Sequence, residues 1–576
     1  MTRALGLVAV AQETADDRQA WRQKASEPLF AIRGRIGARA GSPEYASAIV
    51  RMLGEALQLV GSSHAGLDVS QPSARGVRQL DLAARAGVRW SGILNAAELT
   101  AVLGWPVEGT SHLRTAHGRQ YPAPPSLLTP VEGVVHPPER VLGAGLHPSQ
   151  TDQLVTMSTE AALHHLHVVG PTGSGKSTLL AQLIKTDVEA GRSVLVLEPR
   201  GDLVEEVLAG VPAERREDVV IIEPGATDKV VGFNPLAGRL EDAERQADHL
   251  LHLFNELYGN SIGPRSSDVL LHALIALARS DQGTLADLPV LLTNAAFRRR
   301  QLAAVSDPLV LAPFFAWYDG LSEAERHQVI SPVLNKTRAF LSRTAIRRLL
   351  GQPRPRFSLD ELFQRPRIVL VNLNAGVIGE ATAELVGALL MTQLWQTMQR
   401  RAMIPAHQRR PVMVVIDEVQ NYLRLPVDLG EMFAQARGLG VSLTVAHQHL
   451  AQLTAKMRTG LLANARSRLV FRPSVEDGSA LAAALGGGLS AQDLALLGAH
   501  EAYAEILVNQ KPSDPFLIRT RRLDGPVLSD PTDLRRWSAA AYGVDSAALD
   551  DALRQRWSGS DHTPDGPIGH APRRQA

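Results

Sequence analysis

Two short stretches carry residue types that can do phosphate chemistry. Gly170-Pro-Thr-Gly-Ser-Gly175-Lys176-Ser177 fits the pattern G-x-x-x-x-G-K-[ST]. It follows the apolar run His165-Leu-His-Val-Val169 and precedes Thr178-Leu-Leu-Ala-Gln-Leu-Ile, a helical pattern. Glycines at this spacing let the backbone turn tightly, so that several N–H groups aim at one phosphate, and the helix start adds its positive end. Gly170, Pro171, Thr172, Gly173, Ser174, Gly175, Lys176, Ser177 and Thr178 form the expected nucleotide-contacting set. Within it Lys176 reaches the β- and γ-phosphates and Ser177 ligates Mg2+. The chain has seven lysines, so a chance Gly-Lys-Ser in this context is rare.

The second stretch is Pro411-Val-Met-Val-Val-Ile416-Asp417-Glu418, an apolar strand pattern ending in two carboxylates. Asp417 can order the water shell of Mg2+, and Glu418 can polarise an attacking water. That pair fits hydrolysis of ATP better than a nucleotide switch. Gln448 ends another apolar run, Val441-Ser-Leu-Thr-Val-Ala-His. Parallel sheets bind ligands at strand C-termini, so Gln448 can sense the γ-phosphate, or simply cap its strand. Arg437 lies between these two strands and can complete a neighbouring subunit's site as an arginine finger, or serve as a helix C-terminal dipole partner. Arg472 is a weaker candidate of the same kind.

The elements that must position these groups are legible as strand runs. Seven short runs, HLHVVG, SVLVLEP, DVVIIEP, RIVLVNL, PVMVVIDE, VSLTVAHQ and SRLVFRP, alternate with helical stretches from residue 141 onward. Near-continuous apolar strands with helices between them predict a mostly parallel α/β sheet buried on both faces. Residues 257–350 show only helical periodicity and read as an all-helical insertion, which splits the sheet domain into 141–256 and 351–520. Upstream, 1–25 is an N-terminal segment and 26–105 a small α+β domain. In the latter Phe30, Ile32 and Ile36 keep strand period and Tyr45–Val60 keeps helical spacing. Residues 106–140 read as a Pro-rich linker, and 521–576 as one helix (Ser546 to Trp557) with a disordered tail holding Arg573 and Arg574.

Composition bounds the function. Hydrophobic residues are 45% and charged residues 21%, a globular mix. The net charge of +1 leaves any nucleic-acid surface to a local patch. The absence of Cys excludes a thiol nucleophile and Cys-ligated metal. No apolar run reaches membrane-span length, and the start lacks a full signal-peptide core, so a cytoplasmic chain is expected. His164, His165 and His167 invite a metal reading, but strand alternation splits them between two faces, so none is expected. Arg400-Arg401 and Arg409-Arg410 read as a solvated charge patch, with DNA or subunit contact as the alternative. No base-reading motif is present, so any DNA contact is expected to be to the backbone.

The motifs together resemble the FtsK–HerA superfamily of P-loop motors, closest to the coupling-protein ATPases of conjugation and type IV secretion. The resemblance rests on GPTGSGKST, Glu198-Pro-Arg-Gly-Asp202-Leu, Gly232-Phe-Asn234-Pro-Leu, Arg367-Ile-Val-Leu-Val-Asn-Leu-Asn-Ala-Gly376, VVIDEVQNYL, ARGLGVSLTVAHQHL and Asn464 through Asp477. It covers about 141–520 and implies a RecA-like core closing into a homohexameric ring around DNA. It also implies ATP and Mg2+ as ligands, Glu418, Lys176, Gln448 and a trans-acting Arg437 in catalysis, and Ser177 with Asp417 at the metal. Arg298-Arg-Arg300 in the insertion becomes a candidate DNA contact. Two departures are visible: Glu198-Pro-Arg-Gly stands for the usual Asp-Pro-Lys-Gly, and the transmembrane helices typical of coupling proteins are not expected. The expected function is an ATP-dependent DNA translocase in conjugative transfer or type IV secretion, with relaxase or channel proteins as partners and any membrane recruitment left to them. A HerA-like motor for DNA processing or defence, an ATP-gated scaffold on DNA and a protein-export motor are the alternatives.

Overall fold

The structure is a computed structural model. It describes residues 15–32, 42–58, 92–96, 98–99, 121–130, 139–147, 150, 153–259, 262–303, 305, 307–422, 429–521 and 527–558. The chain divides into two compact units, Met1–Ala116 and His117–Ala576. The first holds a helix at Ala15–Lys24, a strand at Leu29–Ile32 paired antiparallel with Gly92–Asn95, and a helix at Pro43–Gln58. Ile36 and Val60, expected in that strand and that helix, lie outside the described residues.

The second unit is built on one twelve-stranded sheet. Its strands are β1 (Leu128–Pro130), β2 (Arg140–Gly145), β3 (Gln153–Met157), β4 (Leu166–Val169), β5 (Ser193–Glu198), β6 (Val219–Ile222), β7 (Ile368–Asn372), β8 (Val412–Ile416), β9 (Val441–His447), β10 (Ser467–Phe471), β11 (Glu501–Glu505) and β12 (Phe516–Arg519). In space they run β1-β3-β2-β12-β11-β10-β4-β9-β8-β5-β7-β6. The seven apolar runs of the sequence are β4 to β10, and all their mutual pairings are parallel. Their side chains alternate between two apolar layers. Leu195, Leu197, Val414 and Ile416 face one layer, and Val194, Val196, Met413 and Val415 the other. Both faces are therefore covered, as a parallel sheet requires. This is a RecA-like P-loop core.

Five strands were not foreseen. β1, β2, β3, β11 and β12 form an antiparallel wing against β10. β1 comes from the expected linker, and nearby Ala123 is buried, exchanging hydrogen bonds with the Gln150 side chain at 2.8 and 2.9 Å. A fully buried ion pair ties the wing to the core. Arg140 on β2 donates to Asp187 (3.0 Å) on the helix α1 (Lys176–Glu189) and to Thr444 (3.2 Å) on β9.

Between β6 and β7 the chain is helical from α2 (Ala243–Tyr258) through α3 (Pro264–Arg279) and α4 (Glu323–Leu341) to Thr344–Leu350. Asn234, ahead of this stretch, ties its middle to its end, the amide donating to the carbonyls of Gly283 and Pro353 (both 3.1 Å). α5 (Glu380–Arg400) then runs back under the sheet, buried almost all round. Among the described residues the C-terminal part carries two helices, where one was expected. α6 (Pro531–Tyr542) and α7 (Ser546–Ser558) flank Gly543–Asp545, which pairs with Lys229–Val231. α7 grips the insertion through Trp557 Nε1 to Asp287 (2.7 Å) and Arg348 to Asp550 (2.7 Å). Arg573 and Arg574 lie outside the described residues, and among the described residues no helix is long and apolar enough to cross a membrane.

Removing one partner of a fully buried pair leaves an uncompensated charge, which costs about 3–5 kcal/mol. Asp187→Ala is therefore expected to lower the thermal midpoint sharply. The double variant Arg140→Leu/Asp187→Leu should lose less than Asp187→Ala alone, as thermal unfolding of the three proteins will measure.

Candidate functional site

β4 delivers the chain to the C-terminal edge of the parallel block, where the loop Gly170–Gly175 turns into α1. Gly173 (φ 79°) and Gly175 (φ 111°) adopt left-handed conformations that other residues rarely tolerate. A Cβ on Gly170 would sit 2.6 Å from Ser174 Oγ and 2.8 Å from Phe471 Cβ. The loop is tied down by Gly170 N to His447 O (3.2 Å) and His500 N to Ser174 O (2.9 Å). Ser174 Oγ is buried without a hydrogen-bond partner.

Lys176, the first residue of α1, is only 5% exposed. Its Nζ lies 3.2 Å from Glu418 Oε1 and 3.4 Å from Asp417 Oδ1. The two carboxylates end β8, and Glu418 sits in the left-handed region at φ 50°. Strain of this kind persists only where its surroundings fix it. Gln448 Nε2 donates to Glu418 Oε1 (2.6 Å), and Gln420 Nε2 to Glu418 Oε2 (2.9 Å). Thr172 Oγ1 lies 3.3 Å from Gln448 Oε1, so the Gln448 amide bridges the loop and Glu418. Burial pushes the Glu418 carboxyl up, but the hydrogen bonds from Gln420 and Gln448 and the Lys176 charge outweigh it and hold Glu418 below the usual carboxylate range. Asp417 is raised, because burial outweighs its attraction to Lys176. Glu198, at the end of neighbouring β5, is pushed up to about 7 by burial.

These groups surround a cavity of about 200 Å3 lined by Pro171, Thr172, Gly173, Gly175, Lys176, Ser177, Thr178, Arg200, Asp417, Glu418 and His500. The volume suits a phosphate chain rather than a whole small-molecule ligand. The donors fit one too: the N–H groups at the start of α1 and the Lys176 ammonium, both on the cavity lining. Ser177 and Asp417 line the same space and can share a divalent ion with phosphate oxygens. Among the described residues no group of three His, Asp or Glu side chains is arranged to hold a metal without such help.

Arg437 is elsewhere. It ends the helix Leu429–Gly438, which feeds the start of β9, whereas Gln448 follows its end. Seven residues of strand separate the two ends by about 23 Å. Arg437 is exposed at this opposite edge, close enough that its charge and that of Arg466 add to burial in holding His164 below its ordinary value. Arg472 is exposed at the P-loop edge but does not line the cavity.

The histidine cluster needs correcting in detail. His165 precedes β4 with φ 70°, so strand alternation does not apply to it. Its Nδ1 accepts from Leu443 N (3.1 Å), and its Nε2 lies 2.7 Å from Phe433 O. His167 Nε2 and His447 Nε2 are 2.7 Å apart, and His447 Nδ1 is 3.1 Å from His449 O. That network assigns the shared proton to His167, with both rings neutral. The expected arginine patches also change. Arg401 is buried, donating to the carbonyls of Leu439 (2.6 Å) and Arg410 (2.8 Å). Arg298 is buried against Asp319 (3.0 Å from Nε) and the Tyr318 ring, which leaves Arg299 and Arg300 exposed. Arg300 donates to Arg556 O (2.9 Å). Arg200 and His500 line the cavity and Gln420 bonds Glu418 beside it, and the motifs assign none of the three a role. Arg200 had a local signal, in Glu198-Pro-Arg-Gly; His500 had none.

The sequence model of the family described as "Type IV secretion-system coupling protein DNA-binding domain" (TrwB_AAD_bind) matches residues 153–492. No curated protein matches the chain. Among solved structures, the bacterial conjugative coupling protein TrwBdeltaN70 is 16% identical over 66% of this chain and 89% of its own, with a TM-score of 0.47. The plasmid coupling protein TrwB in complex with ADP and Mg2+ is 17% identical over 66% and 90%, also at 0.47. VirB4 of Thermoanaerobacter pseudethanolicus is 15% identical over 67% and 96%, at 0.42.

The buried groups predict an acid response. His165 and His447 are each driven down to about 4 by burial, from an ordinary 6.5. The unfolded chain binds their protons first, so their stability contribution is full above pH 6.5 and is lost as pH falls towards 4. Glu198 opposes this. Its folded value of about 7 exceeds the ordinary 4.5, so its contribution grows as pH falls from 7 to 4.5. Thermal midpoints between pH 7 and 5 should therefore fall for the native protein, and fall more steeply for Glu198→Gln.

Proposed function

The chain belongs to the family of type IV secretion-system coupling-protein DNA-binding domains, and on that premise we propose that it is an ATP-driven DNA translocase whose subunits close into a hexameric ring. The arrangement that carries this reading is the contact of Glu418 with both Lys176 and Gln448 in one cavity, together with the exposed Arg437 at the far edge of the same sheet. A catalytic edge and a cationic edge on opposite sides of one subunit suit head-to-tail association, which closes into a ring by rotation.

In this reading the loop N–H groups and Lys176 hold the β- and γ-phosphates of ATP, and Thr178 flanks them. Ser177 and Asp417 would hold Mg2+, which would supply positive charge to offset that of the phosphates. Glu418 orients a water for in-line attack on the γ-phosphorus. The bond to the β–γ bridging oxygen breaks, ADP keeps that oxygen, and the water proton passes to Glu418. Gln448 fixes the Glu418 carboxylate and links it to Thr172, so the phosphate state is felt at the end of β9. Arg437 of the neighbouring subunit offsets the charge that develops in the transition state.

DNA is held through its phosphate backbone, with Arg299 of the insertion as a candidate contact. Binding is then tolerant of sequence and weakens with salt. The family points to conjugative transfer or type IV secretion, with relaxase or channel proteins as partners. The protein would work in the cytoplasm, recruited to the membrane by those partners.

ATP hydrolysis should be measured without DNA and with single-stranded or duplex DNA, across a salt series. Salt-sensitive stimulation by DNA is expected, and hydrolysis indifferent to DNA would sink the translocase reading. Lys176→Ala should lose nucleotide binding, and Glu418→Gln should bind without turnover. Arg437→Ala should bind ATP yet lose about a thousandfold in turnover. Mixing Glu418→Gln with Arg437→Ala should restore hydrolysis at interfaces where intact halves meet. No recovery on mixing would reject the trans assignment.

A further inference from the structure

The floor of the cavity has more negative than positive charge. Lys176 is its one buried cation, and it already faces Asp417 and Glu418. A polyphosphate entering there needs a further positive group, and one is present. Arg200 follows β5, lines the cavity beside Lys176, and places Nη2 3.6 Å from Glu418 Oε1. Its side chain is 51% exposed, so it stands at the mouth rather than in the floor.

The backbone beneath it is fixed at several points. The buried Glu198 carboxylate accepts from Arg200 N (2.9 Å) and Gly201 N (2.5 Å). Asn374 Nδ2 donates to Arg200 O (2.9 Å), and Ala375 N to Pro199 O (3.2 Å). Gly201, at φ 100°, gives the turn its shape, and a Cβ there would approach the Asn372 side-chain amide to 3.3 Å. A rigid backbone bearing a solvent-facing guanidinium over a phosphate-sized cavity is a geometry for recognising a terminal phosphate, because a planar fork can engage two phosphate oxygens at once.

We propose that Arg200 contacts the γ-phosphate in its own subunit, exchanging its place beside Glu418 for the terminal phosphate and so distinguishing ATP from ADP. Glu198 is the positioning residue that holds the Arg200 turn. This rests on the reading of the cavity as an ATP site. Charge-assisted hydrogen bonds to one phosphate contribute about ten- to a hundredfold in affinity.

Equilibrium binding of fluorescent ADP and of a fluorescent non-hydrolysable ATP analogue, each with Mg2+, tests the assignment. The proteins are the native chain, Arg200→Ala, Arg200→Lys and Lys176→Ala, with thermal midpoints taken as a check on folding. Arg200→Ala is expected to weaken the ATP analogue about tenfold or more while ADP stays within about twofold, and Arg200→Lys to recover part of the loss. An equal loss for both nucleotides, or no loss for either, overturns the assignment and leaves the ATP site standing. If the native chain binds neither nucleotide, or Lys176→Ala binds as the native chain does, the ATP-site reading falls and Arg200 falls with it.

Discussion

A lysine ammonium buried between two carboxylates sets the terms for the rest of this molecule. At 5% exposure a lysine ammonium is costly to bury without partners, and Asp417 and Glu418 supply them. The pairing joins the first residue of α1 to the end of β8. Those elements belong to strands that are not neighbours, because β9 lies between β4 and β8. Two strand spacings, roughly 9–10 Å, are thus bridged by long side chains, and the residue that follows the intervening strand, Gln448, falls into the gap. The left-handed backbone at Glu418 belongs to the same constraint. It turns the carboxylate back over the strand ends, where Lys176, Gln448 and Gln420 hold it.

Arginine serves two different purposes here. Arg140, Arg298 and Arg401 are buried, and each meets carboxylates, hydroxyls, carbonyls or aromatic faces that tie one element to another, although Arg140 Nη2 and Arg401 Nε stay without a hydrogen-bond partner. Their charge is spent within the fold. Arg200, Arg299 and Arg437 stay exposed on backbone that packing has already fixed. Exposure and partners, rather than residue type, therefore separate a structural tie from a surface able to meet phosphate.

The antiparallel wing and the C-terminal helices give the parallel core its edges. Without the wing, β10 would present an open edge next to the P-loop strand. Instead β11 covers it, and His500 just before β11 and Thr520 just after β12 come against the loop at Gly175, with Thr520 N donating to His500 O (2.9 Å). At the other edge, α6 packs over β6, with Ser538 Oγ accepting from Ile221 N (2.9 Å), and α7 clamps the insertion. The strands that lead into the cavity therefore lie in the interior of the sheet, where both neighbours fix their register.

The sequence by itself determined the parallel core and the centre of the site. Strands buried on both faces must be apolar at nearly every position, so β4 to β10 stand out as runs. A phosphate loop is a local structure whose glycines, lysine and helix start are contiguous, so it too can be read from one stretch. The α6 start also carries a local signal, Asp530 capping with Pro531 at the first helical position, weaker than the pattern of α7. Only the tertiary structure decided the rest. The wing strands are short or broken by Gly and Pro, as in Leu128-Thr-Pro and Arg140-Val-Leu-Gly-Ala-Gly, and their pairing is non-local. Strand order, which sets β9 between Lys176 and Glu418 and sends Arg437 to the far edge, depends on which crossovers pack. So does the arrival of Arg200 and His500 at one cavity from positions 300 residues apart. Such meetings arise from the packing of whole layers, and no local stretch of chain encodes them.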